Sequence, residues 1–163
     1  MKNQPLAAIG IGLAFVALVI GGILFSTRQN RVELEGGILK VRTQAVDEGQ
    51  SIAVVDMRVV NPSTNQFVVR EVKAFLEPAE GKPIEGDVFA DVDAERMLDY
   101  YKALGPKYNQ TLVRRQQINP GESIDRMVAV RFPVAEQYVL KRKAIRFVIE
   151  DVDGATTELI EER

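Results

Sequence analysis

Any chemistry on this chain has to be carried by carboxylates and cations, because it contains neither histidine nor cysteine. That removes the usual zinc sites, Ser-His-Asp and Cys-His catalysis, and haem ligation through those side chains. A nucleotide loop is missing too: Gly81-Lys82-Pro83 lacks the upstream glycine and the following Ser or Thr that hold phosphates. Two groups of acids remain, Asp87, Asp91 and Asp93 in one stretch, and Asp151 and Asp153 before Gly154 near the carboxyl end. The second has oxygens at alternate positions, as a calcium loop does, but not the third ligand before the glycine or the distal bidentate glutamate. An Asp-Gly hairpin turn accounts for the same residues, and Asp91 or Asp93 reads as a helix cap. The sequence thus implies no catalytic residue, metal, cofactor or small-molecule substrate, and the expectation is a protein that is not an enzyme.

The candidates left are contact residues. Lys141-Arg142-Lys143 with Arg146 is the densest basic cluster and Arg114-Arg115 a smaller one. Facing a bilayer, each basic residue would gain ~1 kcal/mol from anionic headgroups; otherwise these are solvated strand ends. Tyr100 and Tyr108 form a candidate aromatic contact site. Lys2 is the only charged side chain before Arg28, so the rest carries 20 of the 21 basic residues and all 23 acidic ones, a net charge of −3. A nucleic-acid partner needs the opposite sign, and none is expected.

The elements that position these residues begin with an uncharged run, Leu6 to Phe25. At ~1.5 Å per helical residue, a run of this length spans the ~30 Å hydrocarbon core of a bilayer. It is longer than the ~7–15-residue apolar core of a secretory signal and has no small-x-small cleavage site, so it reads as an uncleaved single-pass anchor. Ala7, Gly10, Ala14, Ala17 and Gly21 recur at alternating spacings of three and four, which aligns them on one helix face. Small side chains let helix backbones approach closely in lipid, so this face is a candidate packing surface for other transmembrane subunits. Flanking charge leans towards a cytoplasmic domain, since Arg28 and Arg31 follow the run and Lys2 precedes it. Long domains translocate largely regardless of charge, however, and the reading adopted is an extracytoplasmic domain.

Behind the anchor the pattern is mainly β. Ile38 to Val46, Ser51 to Val60, Phe67 to Leu76, Thr111 to Gln117, Arg126 to Phe132 and Ala144 to Glu150 are rich in Val, Ile and Phe and are separated by Asn-Pro, Pro-Gly and Asp-Gly turns. Pairing the second and third runs so that residue numbers sum to 129 sets Arg58 against Glu71 and Asp56 against Lys73, each pair contributing ~0.2–1 kcal/mol. The expectation is a hairpin with one solvated, ion-paired face. Ala94, Met97, Leu98, Tyr101 and Leu104 make a helical stripe, predicting a helix over about 92–104 that Gly105-Pro106 ends. Tyr100 falls off that stripe. A second helical turn is expected over Val134 to Leu140.

The segment Ile52 to Pro62, with its Asn61-Pro62 turn, and the following Phe67 to Leu76 resemble the strand, turn and strand of the group 2 late-embryogenesis-abundant (water-stress and hypersensitive response) domains. Ile118-Asn119-Pro120-Gly121-Glu122-Ser123-Ile124, leading into Met127 to Phe132, is similar to a later turn and strand of that family. The resemblance covers under half of the domain, and the helix near 92–104 is an insertion relative to it. It implies an immunoglobulin-like antiparallel β-sandwich that is non-enzymatic, often membrane-tethered, and active in stress protection or in lipid and protein contacts.

The expected organisation is an anchor over 1–27, a linker and strand start over 28–36, a β-sandwich with one inserted helix over 37–160, and a frayed tail over 161–163. The expected role is an accessory or structural subunit of a membrane protein assembly. The alternative is a membrane-tethered lipid-binding or stress-protective module.

Overall fold

The structure is a computed structural model that describes Gly12, residues 14–22 and residues 33–161. The chain divides into two units, residues 1–31 and 32–163. In the first, Gly12 and residues 14–22 are helical, and Ala14, Ala17 and Gly21 line one shallow apolar face with Leu18 and Gly22. Ala7, Gly10 and the ends of the Leu6 to Phe25 run lie outside the described residues. Among the described residues, no helix is long and apolar enough to cross a membrane.

The second unit is a mainly antiparallel β-sandwich. One sheet runs β1 (Glu35–Ala45), β2 (Ser51–Val60), β7 (Ser123–Phe132) and β4 (Ile84–Val88). The other runs β4, β3 (Phe67–Glu77), β8 (Ala144–Asp151) and β9 (Thr156–Ile160). Strand β4 belongs to both: Ile84 to Gly86 pair with β3, and Asp87 and Val88 with β7. Gly86 is where it crosses, and a Cβ there would lie 2.5 Å from a Val130 methyl and 2.7 Å from the Phe132 ring. Two short strands complete the sheets, β5 (Gln110–Thr111) parallel to β7 and β6 (Gln117–Ile118) beside β3. The expected single strand from Thr111 to Gln117 is therefore two, broken where Arg115 takes a left-handed φ of 64°.

The expected hairpin of β2 with β3 does not form. Strand β2 pairs with β1 and β7, whereas β3 lies in the other sheet beside β8. The cause is the turn between them. Asn61 is buried, and its amide donates to the carbonyls of Asn65 and Ile118 while its oxygen accepts from the Ser63 backbone and hydroxyl. These bonds fold the link tightly and fasten it to the next turn, where Gly121 N–H donates to the Asn61 carbonyl. Arg58 then faces Asp125 on β7, and Glu71 and Lys73 pair along their own strand.

The outer face of β2 is solvated only towards its Arg58 end. Ala53, Val55, Met57 and Val59 point into the core between the sheets, as alternation requires. Ile52 and Val54 point outward with Met127 and Ala129 of β7, and helix α1 (Asp91–Tyr100) covers them with Ala94, Met97 and Leu98. A 3₁₀ turn, Lys102–Leu104, adds Leu104 to this second core. The expected helix is thus a shorter α-helix plus a 3₁₀ turn, closed by Gly105 with φ 76°. Its N-cap is Ala90 with no side-chain cap, so neither Asp91 nor Asp93 caps it; Asp91 opens the first turn, where the helix dipole favours a carboxylate. Helix α2 (Glu136–Leu140) fills the expected second helical turn.

Candidate functional site

Helix α1 and its following loop are clamped to the sheet by one buried ion pair. Arg42 on β1 donates to Asp56 on β2 at 3.0 Å, and Asn109 of the loop donates to the other oxygen of the same carboxylate at 2.9 Å. Arg42 Nη1 donates to the carbonyls of Leu104 and Pro106. Tyr108 lies over this cluster, with the Arg42 guanidinium 4.8 Å and the Lys40 ammonium 5.1 Å from its ring centre, within cation–π range. Tyr108 remains 59% exposed and Tyr100 80%, with Tyr100 edge-on to Tyr101. Both candidate aromatic residues therefore lie on the outer layer that α1 and its loop add to the sheet.

Strand β4 joins the two sheets on one side of the sandwich. A groove of about 440 Å³ lies between Glu71 and Val72 of β3 and the stretches 88–91 and 111–114. Val72, Val88, Phe89, Leu112 and Val113 give it apolar walls, and Arg114, Asp91 and the buried Thr111 add polar groups to the lining. Both size and lining fall within the ordinary range of ligand pockets, ~300–1,000 Å³ and mostly apolar. Asp91 accepts from Lys107 at 2.8 Å, and Glu95 from the same ammonium at 2.7 Å. The Lys107 hydrogen bond, followed by the nearby Thr111 hydroxyl, holds the Asp91 carboxyl below the usual carboxylate range. Burial alone would lower the Lys107 ammonium, but its bonds to Asp91 and Glu95 outweigh this and leave it above the ordinary lysine value.

The acids singled out from the sequence do not converge. Asp87 pairs with Arg131, Asp91 with Lys107, and Asp93 with Arg96 at a loose 3.8 Å. Asp151 is buried and accepts from the backbone N–H of Val68 and Val152, so it fastens the β8–β9 turn to β3. Gly154, with φ 83°, closes that turn as an Asp-Gly hairpin. Among the described residues, no three acids gather as a metal site.

The basic cluster at 141–146 is divided. Lys141 and Lys143 are exposed, but Arg142 is buried and held by Glu161 at 2.6 and 2.7 Å and by the Val139 carbonyl. Arg142 thus offers no charge to a surface, and Glu161, whose N–H also donates to Ile145, is anchored where a frayed tail was expected. Arg146 pairs with Glu77 and Glu158 and stacks on Phe75. Lys143 N–H donates to the Glu77 carbonyl at the end of β3. Arg114 Nε donates to the Arg70 carbonyl, and Arg115 N–H to that of Val69.

Nothing in the sequence reading identified the groove. Its frame, β4, was available as the alternation Ile84, Gly86, Val88 after Pro83, but the crossing at Gly86 depends on both sheets being in place.

Neither a protein-family model nor any curated protein sequence matches this chain. Among solved structures, an uncharacterised β-sandwich protein from Clostridium difficile 630 is similar, at 9% identity and a TM-score of 0.42, over 80% of this chain and 86% of that one. The sandwich described above rests on its own strand pairing.

Proposed function

We propose that this chain is a non-enzymatic accessory subunit of a membrane protein assembly. It is held by a single transmembrane helix over Leu6 to Phe25, and its immunoglobulin-like sandwich lies on the extracytoplasmic side. The observation that carries this reading is the uncharged run, long enough to cross a bilayer, placed before a domain with a core of its own. Ala14, Ala17 and Gly21 on one helix face support a partner helix, and exposed Tyr100 and Tyr108 support a protein contact on the domain. Within the basic cluster, the burial of Arg142 on Glu161 and the pairing of Arg146 with Glu77 and Glu158 argue against headgroup contact.

One observation favours a second reading, a tethered stress-protective or lipid-binding module of the late-embryogenesis-abundant type. The two Asn-Pro turns that carry the resemblance are joined in space, through Gly121 to Asn61 and Gln66 to Asn119. One experiment separates the two readings. The full chain and a variant with Gly10, Ala14 and Ala17 all changed to Leu are extracted in mild detergent, and co-purifying membrane subunits are compared. Loss of a specific subunit from the variant is the expected outcome. Identical co-purification would remove the helix-packing reading, and protection of a drying enzyme by a chain with no such subunit would favour the second.

A further inference from the structure

Strand β3 has a gap in one of its edges. On one side it pairs with β8 over Val69 to Glu77. On the other, β6 covers Phe67 and Val68, the 115–116 turn bonds to Val69, and β4 covers only Ala74 to Leu76. Residues 70–73 therefore have no strand beside them; Glu71 and Val72 line the groove, and the Arg70 carbonyl is taken by Arg114 Nε. An open edge presents backbone donors and acceptors to whatever extended chain comes alongside. At ~3.3 Å per residue the gap is about 13 Å long, room for a short peptide.

We infer that this gap is a docking slot for an extended segment of a partner protein, one that alternates apolar side chains and carries an acidic residue beside Arg114 and Arg115. The inference rests on the reading of the domain as a protein-binding module. The partner's apolar side chains would meet Val72, Val88, Leu112 and Val113. Charge sets the acidic end. Glu71 is paired with Lys73 and Asp91 with Lys107, whereas Arg114 and Arg115 are exposed and have no ion-pair partner among the described residues. Arg114 uses its Nε on the Arg70 carbonyl, which fixes its guanidinium at the slot. Arg115 is the one non-glycine residue with positive φ among those described, a conformation that costs energy and recurs at binding sites. A peptide can satisfy the edge by adding a strand, whereas an acyl chain can bond none of its backbone groups.

The test uses the full chain in detergent micelles and a fluorescent peptide of alternating valine and threonine ending in two aspartates. Three competitors accompany it: the same peptide with a central proline, one ending in two lysines, and a fatty acid. Saturable binding with a Kd below ~100 μM is expected, with the proline and lysine peptides at least ~10-fold weaker, a difference of ~1.4 kcal/mol, and no displacement by the fatty acid. Changing Arg114 and Arg115 to Glu should weaken binding to the same extent without altering the melting temperature. If that pair disturbs the Arg115 turn, Val113→Glu at the exposed wall serves instead. Absence of saturable binding, equal binding of the proline peptide, indifference to both variants, or displacement by fatty acid would each overturn the inference. Because the anchor's packing face is untouched, failure here leaves the co-purification result standing, and the reverse.

Discussion

Asp56 lies in the middle of a strand that is buried on both faces, and a carboxylate in such a place needs a cation within reach. Arg42 supplies it from the neighbouring strand, with a second hydrogen bond from Asn109. The pair links the sheet to the loop after α1, because the same guanidinium holds the carbonyls of Leu104 and Pro106. Breaking a buried pair from one side leaves an uncompensated charge and costs ~3–5 kcal/mol, well above the median for a surface pair. Asp56→Ala should therefore lower the unfolding free energy by that order in a denaturant titration. Asp125→Ala, which removes the exposed partner of Arg58, should leave it nearly unchanged, because solvent screens that pair. Equal effects of the two substitutions would show that Asp56 is no clamp. The charge of Asp56 was legible in the sequence but its partner was not, since a strand register alone does not say which strand lies alongside.

Helix α1 illustrates the same point one scale up. Its apolar stripe is plain in the sequence, and Ala94, Met97, Leu98 and Leu104 are all buried as that stripe requires. What the stripe covers is the outer face of β2 and β7, and only the assembled sheet presents that face. A salt bridge to Lys107 pins the start of the helix, and the sign of its pH dependence follows from the two shifts. The Asp91 carboxyl is lower in the folded state, so its contribution is present above the unfolded value of ~3.9 and is lost as pH falls through the folded value. Lys107 is higher when folded, so its contribution is present below ~10.4 and is lost as pH rises through the folded value. Amide protection in 91–109, taken relative to the intrinsic exchange rate at each pH, should therefore fall below about pH 4 in the native chain, and Asp91→Asn should remove most of that fall. Because the carboxylate is 42% exposed, solvent screens it and the effect is expected to be small. An unchanged pH profile in Asp91→Asn would place the sensitivity elsewhere.

For the molecule as a whole, the two units carry different kinds of information. The core residues of the sandwich, from Leu34 to Leu159, all come from the second unit. Residues 33–163 expressed alone should therefore unfold in one cooperative transition, with a stability in the usual range of ~5–15 kcal/mol. A non-cooperative transition for that piece would mean that the domain needs its tether to fold.

The sequence by itself determined the uncharged run, the main-β class, most strand limits, the helical stripe and the exclusion of histidine and cysteine chemistry. Each of these is a property of neighbouring residues, such as spacing, alternation, turn chemistry or composition. The tertiary structure alone decided that β2 and β3 part company, that Asp56 and Arg142 are buried, and that β4 crosses between sheets and leaves a gap beside β3. Those outcomes depend on which distant strands meet, and that is settled by the shared burial of two cores and by the bonds of Asn61 to the turn after Ile118.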